Sequence, residues 1–212
     1  MNDLITELER VRRSVGSETA ADGPAHVVEL RRVYDARAHD VWDACTNPDR
    51  IPRWFLPIRG DLRLGGRFQL EGNAGGEITE CEPPRRLAVT WEFGGQVSVV
   101  TVDLAPAGDA ATELRLRHAV GDDDHWATYG PGAVGVGWDL GLLGLALYLR
   151  TGASVDDPQA FGSSPEGQAC MRRSAAGWGA AHAAAGAGAA TANEAAVRTS
   201  AAYAPDPDGA RS

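Results

Sequence analysis

The stretch 66–119 most limits what this chain can fold into. Five short runs, 66–72, 76–81, 87–93, 97–104 and 112–119, are separated by tight turn signals: Asn73-Ala74-Gly75, Pro83-Pro84, Gly94-Gly95 and the segment 105–110. Strands joined by such short connections can only run antiparallel, as a meander. In the last run Leu114, Leu116 and His118 share one face, while Glu113, Arg115 and Arg117 share the other. Leu87, Val89 and Trp91 form the matching apolar face of their own run. A sheet with one apolar face needs a cover. The segment 132–150 supplies it, with Val134, Trp138, Leu142, Leu145 and Leu149 on one helical face. Gly137, Gly141 and Gly144 recur at i, i+4, i+7 on the other side, a smooth strip that admits a close neighbour although each glycine costs about 1 kcal/mol against Ala.

The flanks add helices. Leu4, Leu8 and Val11 fall at helical spacing within 3–14, and 15–25, with Gly16, Gly23 and Pro24, reads as a loop. The first strand is expected over 27–34. A short helix over 39–46 turns Val41, Trp42 and Cys45 inward, and a second starts at Asn47, with Pro48 and Asp49 suited to its first turn. Past a flexible 152–162, Ser164-Pro165-Glu166 is a helix start, and Met171, Ala175, Trp178 and His182 share one face of the helix begun there. A further Ala-rich helix is expected over 190–203. The tail is expected to dock on the long helix because Trp178 and Tyr203 need burial; the alternative is a disordered linker. The expected organisation is an accessory helix and loop (1–25), the sheet domain (26–152), a helical extension (153–203) and a disordered end (204–212).

Composition narrows the function classes. The chain has 212 residues, 43% hydrophobic, and a net charge of −9. That argues against nucleic acid, which wants a basic stripe, and against an anionic membrane surface. All 20 basic residues are Arg, so a Schiff-base or phosphate-loop lysine is excluded. Cys45, Cys81 and Cys170 are too scattered for a disulfide framework or a zinc site, which suits a reducing cytoplasm. The start of the chain lacks the apolar core of a signal peptide, and the longest apolar run, 140–149, is about half a membrane span.

Several pieces together resemble a known family. They are Val41-Trp42, Asn47-Pro48, Trp54-Phe55, Leu64-Gly65-Gly66, the run Glu82-Pro83-Pro84-Arg85-Arg86-Leu87 followed by Thr90-Trp91, and Gly137-Trp138 before a Leu-rich helix. In this order they resemble the activator of heat-shock-protein ATPase homologues, within the START-related SRPBCC superfamily, over roughly 27–150. The resemblance implies an α+β helix-grip fold: a curved antiparallel sheet wrapped around the long helix, two short helices after the first strand, and here accessory helices at both ends. It implies a ligand binder or a co-chaperone related to stress response, and names no single activity, because the superfamily hosts many.

The strongest functional candidate is a lined cavity between sheet and long helix. Trp54, Phe55, Phe68, Leu70, Trp91, Leu116, His118, Trp126, Tyr129, Trp138 and Leu142 come from elements that converge in this fold, with His118 and Tyr129 as the polar groups. Each aromatic can equally be core filling. His118 is a candidate general base, because an unperturbed histidine titrates near neutrality, but the sequence shows no orienting partner. Asp122-Asp123-Asp124-His125 is better read as a helix start capped by Asp124 than as a metal site. Glu71, Glu77, Glu80 and Glu92 read as solvated carboxylates rather than an acid–base pair. The expected function is therefore non-enzymatic binding of a small hydrophobic or amphipathic molecule, without metal or cofactor. A chaperone or other protein partner is the second reading, and a pocket hydrolase or cyclase the third. Monomer and homodimer both remain open.

Overall fold

A computed structural model describes residues 2–20, 23–153 and 158–205. The elements run α1 (Asn2–Glu9), β1 (Arg12–Ala20), β2 (Gly23–Tyr34), α2 (Ala38–Thr46), a single 3-10 turn (Ile51–Arg53), and the strands β3 (Ile58–Gly60), β4 (Arg67–Leu70), β5 (Gly75–Glu82), β6 (Arg86–Phe93), β7 (Gln96–Pro106) and β8 (Thr112–Gly121). Then follow α3 (Asp124–Tyr129), α4 (Gly132–Thr151), α5 (Pro158–Ser163), α6 (Pro165–Ala184) and α7 (Ala189–Tyr203). The strands form one antiparallel sheet in the order β1-β2-β8-β7-β6-β5-β4-β3. With the long helix α4 this is the α+β helix-grip fold.

The chain divides into two compact units. One comprises 29–120 and 144–155, the other 1–28, 121–143 and 156–212. In the first, the meander has the register its turns dictate: Phe68 opposes Gly76, Trp91 opposes Ser98, and Val100 opposes His118. A Cβ on Gly76 would lie 1.9 Å from the carbonyl oxygen of Thr90, so only glycine permits this strand approach. Phe68, Leu70, Ile78, Val89, Val100, Leu104, Leu114 and Leu116 are buried. Helix α2 buries Val41, Trp42 and Ala44. The Trp54 indole donates to the Ala44 carbonyl at 2.9 Å. Arg50 joins Asp40 and Asp43, each at 2.8 Å, and its Nε donates to the Tyr148 hydroxyl at 2.9 Å. Gly144 lies where a Cβ would meet the Trp54 carbonyl at 2.5 Å.

The opposite face of that unit's sheet carries a ladder of ion pairs. Arg86 bridges Glu80 and Asp103, at 2.6 and 2.8 Å. Arg115 lies between Asp103 and Glu29 (3.5 and 3.6 Å), Arg117 also faces Glu29 (3.7 Å), and Arg31 reaches Glu29 and Glu113 (2.8 and 3.9 Å). Val97 and Val99, on the same face by their register with Glu92 and Thr90, are 64% and 44% exposed.

In the other unit, α6 and α7 pack as a helical hairpin beside the first half of α4. Ser164 caps α6 by accepting from the Gly167 amide at 3.0 Å, with Pro165 and Glu166 in the first turn as expected. Of the expected strip, Gly144 admits a close neighbour, as described above, but in this unit the tight glycines are others. A Cβ on Gly135 would strike the Trp178 indole at 2.2 Å, and one on Gly132 would meet Thr199 at 2.6 Å, whereas Gly137 is exposed. The reason is Asp139, wholly buried one turn beyond Gly135, which draws Trp178 onto that side.

Other expectations are corrected. Where a loop was expected over 15–25, β1 spans Arg12–Ala20, and α1 ends at Glu9. The segment after Asn47 closes as one 3-10 turn, with the Asn47 side chain accepting from the Asp49 amide at 2.9 Å. Helix α5 occupies part of the segment expected to be flexible. The expected disorder over 204–212 lies, from residue 206 on, outside the described residues.

Candidate functional site

Seven of the eleven expected lining residues, Trp54, Phe55, Phe68, Leu70, Trp91, Leu116 and His118, belong to the unit that holds the meander; Trp126, Tyr129, Trp138 and Leu142 belong to the other. Within the first, strand pleating collects an aromatic and polar cluster on the apolar face. Phe68 and Trp91 have ring centroids 6.3 Å apart, and Trp91 meets His118 edge-on at 6.0 Å. Leu70 and Leu116 are each 3% exposed. Trp54 and Phe55 stack at 5.4 Å on the segment after α2.

The polar centre of this cluster is His118, only 2% exposed. Its Nε2 lies 2.8 Å from the Ser98 hydroxyl, which itself donates to the Trp91 carbonyl at 3.1 Å. With the hydroxyl proton committed to that carbonyl, the chain runs from the Nε2 proton of His118 to Ser98 and on to Trp91. Burial pushes the imidazole from 6.5 down to about 4, so it is neutral at pH 7. Sequence reasoning named His118 and missed Ser98. The signal was present: Ser98 is the only hydroxyl among the residues of β7 that share the parity of Val100, the residue opposite His118.

Arg32 was missed as well. It shares the parity of Leu30 and Tyr34, is 3% exposed, and holds its guanidinium carbon 5.2 Å from the Tyr34 ring centroid. A buried arginine on the apolar side of a strand is rare unless paired. Tyr34 is buried beside it, and burial raises its phenol well above the ordinary value.

The second unit has its own polar centre. The Asp139 carboxylate accepts from Arg13 Nε at 2.8 Å, Ser174 Oγ at 2.5 Å and Trp178 Nε1 at 3.0 Å, all at Oδ2. Burial raises its pKa, and the Arg13 guanidinium opposes that rise. Nearby, Trp126 stacks on His26 with centroids 4.0 Å apart and planes 4° from parallel, and meets His182 edge-on at 5.9 Å. The residues of the 122–125 run have separate tasks. Asp122 pairs with His26 at 3.1 Å, His125 lies against Tyr129, and Asp123, rather than Asp124, caps α3 by accepting from the Trp126 amide. The expected cap was one residue too late because Asp124 itself begins the helix. Three of the four carboxylates weighed as an acid–base set are engaged by arginines: Glu80 by Arg86, Glu92 by Arg67, and Glu71 by Arg59.

Helix α4 is long and apolar enough to cross a membrane by length and composition alone. Half of its most apolar window is buried in the protein, and Asp139 sits at its middle with three donors, as in a core helix.

No curated protein matches this chain. Solved structures do. CalU16 from Micromonospora echinospora is 37% identical in its crystal structure, which covers 81% of this chain and 97% of that one with a TM-score of 0.65. Its solution structure gives 38%, 82%, 96% and 0.69. DynU16, a protein in the dynemicin biosynthetic locus, is 26% identical over 60% of this chain and 48% of that one, with a TM-score of 0.53. Residues 35–150 match the family described as Activator of Hsp90 ATPase homolog 1-like protein, and the chain belongs to that family.

Proposed function

We propose that the protein binds a small hydrophobic or amphipathic molecule, without covalent chemistry, on the aromatic face built by Phe68, Leu70, Trp91, Leu116 and His118. The observation that carries this reading is the neutral, buried His118 with its Ser98 relay, set among apolar and aromatic side chains. An apolar surface with a few placed polar groups suits such a ligand. DynU16's origin in a biosynthetic locus also favours a small molecule over a macromolecule. Three free thiols suit the cytoplasm.

The test is native mass spectrometry of the purified chain for a co-purified ligand, with titration of 1-anilinonaphthalene-8-sulfonate. Removing the Trp91 indole deletes on the order of 60 Å² of apolar contact, so Trp91→Ala weakens dye or ligand binding by roughly tenfold. Absence of any ligand or dye binding, or equal affinity in the variant, defeats the reading.

The second reading, a co-chaperone-like interaction module, is favoured by the exposed Val97 and Val99 on the ion-paired face. Under it, a Val97→Glu/Val99→Glu chain loses stimulation of an Hsp90-class ATPase that the wild type provides, while dye binding is unchanged.

A further inference from the structure

Strand β1 lies outside the residues matched to the family and ends the sheet on one side, so among the described residues one row of its backbone N–H and C=O groups has no neighbouring strand. It is nine residues long, Arg-Arg-Ser-Val-Gly-Ser-Glu-Thr-Ala, and carries no proline. Arg12, Ser14, Gly16, Ser17, Glu18 and Thr19 are exposed, and a Cβ placed on Gly16 would meet nothing within 4 Å. Such an edge is a template for another strand. The opposite edge, β3, has only three residues.

We infer that this edge pairs with the β1 strand of a second copy of the chain, antiparallel about a twofold axis through Val15. Free backbone groups alternate along an edge, so two identical antiparallel strands can oppose only residues of the same parity. Among those registers, the one centred on Val15 sets Arg12 opposite Glu18 on both sides of the axis and Val15 opposite itself. It pairs 12–18, seven of the strand's nine residues. Moving the axis by one residue to Ser14 sets Arg13 against Val15 and leaves Glu18 opposite a residue outside the strand. Moving it to Gly16 sets Ser14 against Glu18 and leaves Arg12 opposite the strand's last residue. Opposite charges and apolar pairs directly across a seam stabilise it, and like charges there destabilise it. Arg13, on the other face of the strand, stays committed to Asp139. A seam this small belongs to the weak class of interfaces, so the dimer forms at high micromolar concentration.

The test uses the full chain. Across the twofold, Val15 Cα atoms would be about 4.5–5.5 Å apart, within disulfide reach. Mild oxidation of Val15→Cys is therefore expected to give a linked dimer. Ser17→Cys, whose copies would be about 13 Å apart, links at least tenfold more slowly. Wild type, with Cys45, Cys81 and Cys170 only, sets the background. By sedimentation velocity, Arg12→Glu lowers the association constant about tenfold, and Arg12→Glu/Glu18→Arg restores it. Three results would overturn the inference: a wild type that is monomeric even at millimolar concentration, an association unchanged by Arg12→Glu, or Ser17→Cys linking as fast as Val15→Cys.

Discussion

Lowering the pH should unload a defined part of the fold's stability through one side chain. His118 is held neutral by burial, at about 4 against 6.5 when exposed. Between those values the unfolded chain binds the proton and the folded chain does not. The contribution of His118 is therefore fully present above pH 6.5 and is lost as pH falls toward 4. Each pH unit in that window is worth about 1.4 kcal/mol, so complete protonation costs roughly 3 kcal/mol, and about 2 kcal/mol is gone by pH 5. The assay is urea unfolding at pH 7 and pH 5 for wild type and His118→Gln, which keeps a donor toward Ser98. Other groups titrate in the same range, among them His182, whose pKa burial also lowers. Comparison with the variant cancels them. Wild type should lose about 2 kcal/mol more than the variant between the two pH values. Equal losses, or an NMR titration of His118 with a midpoint near 6.5, would refute the buried neutral imidazole and with it the polar centre of the proposed site.

Three further outcomes rest on packing. Asp139→Ala should cost about 3–5 kcal/mol in urea unfolding, because it removes the counter-charge of Arg13 and leaves Arg13 Nε, Ser174 Oγ and Trp178 Nε1 without their shared acceptor, and Asp139→Asn should cost less, since the amide oxygen still accepts. Gly135→Ala should destabilise by about 1–3 kcal/mol despite its better helix propensity, because the new methyl overlaps the Trp178 indole. Gly137→Ala, whose Cβ would come no nearer than 3.9 Å to the Tyr203 hydroxyl, should instead stabilise by up to about 1 kcal/mol, measured the same way.

The meander was legible because its turns are written in Gly, Pro and Asn and its faces alternate. Observed strand ends fall within about two residues of the expected ones, the usual uncertainty of such boundaries. Strand β1 was not legible: it is polar and exposed along most of its length, and a strand without an apolar face gives no period-two signal. On α4 the apolar residues surround the helix, so composition could not say which side faces what. Val134 and Trp138 are only half-buried, while Asp139 is fully enclosed. An acid in the middle of such a helix was the available clue, since a buried carboxylate must find donors. The Trp91–His118–Ser98 cluster was legible in two of its three members. The third depended on strand register, which turn lengths set more firmly than side-chain character does.

The ladder on the meander's outer face has a consequence for how other molecules meet it. Arg31, Arg86, Arg115 and Arg117 interleave with Glu29, Glu80, Asp103 and Glu113, four of each sign, whereas the chain as a whole carries −9. Alternating charges a few ångströms apart cancel at distances well inside the roughly 8 Å over which physiological salt screens what remains. From solution this surface is electrically quiet. A strand or sheet that tried to lie flat on the ladder itself would have to break ion pairs, so the easier contact on this face is at the exposed Val97 and Val99. The attraction of the molecule for cations, and its avoidance of other acidic surfaces, must then originate elsewhere on the chain.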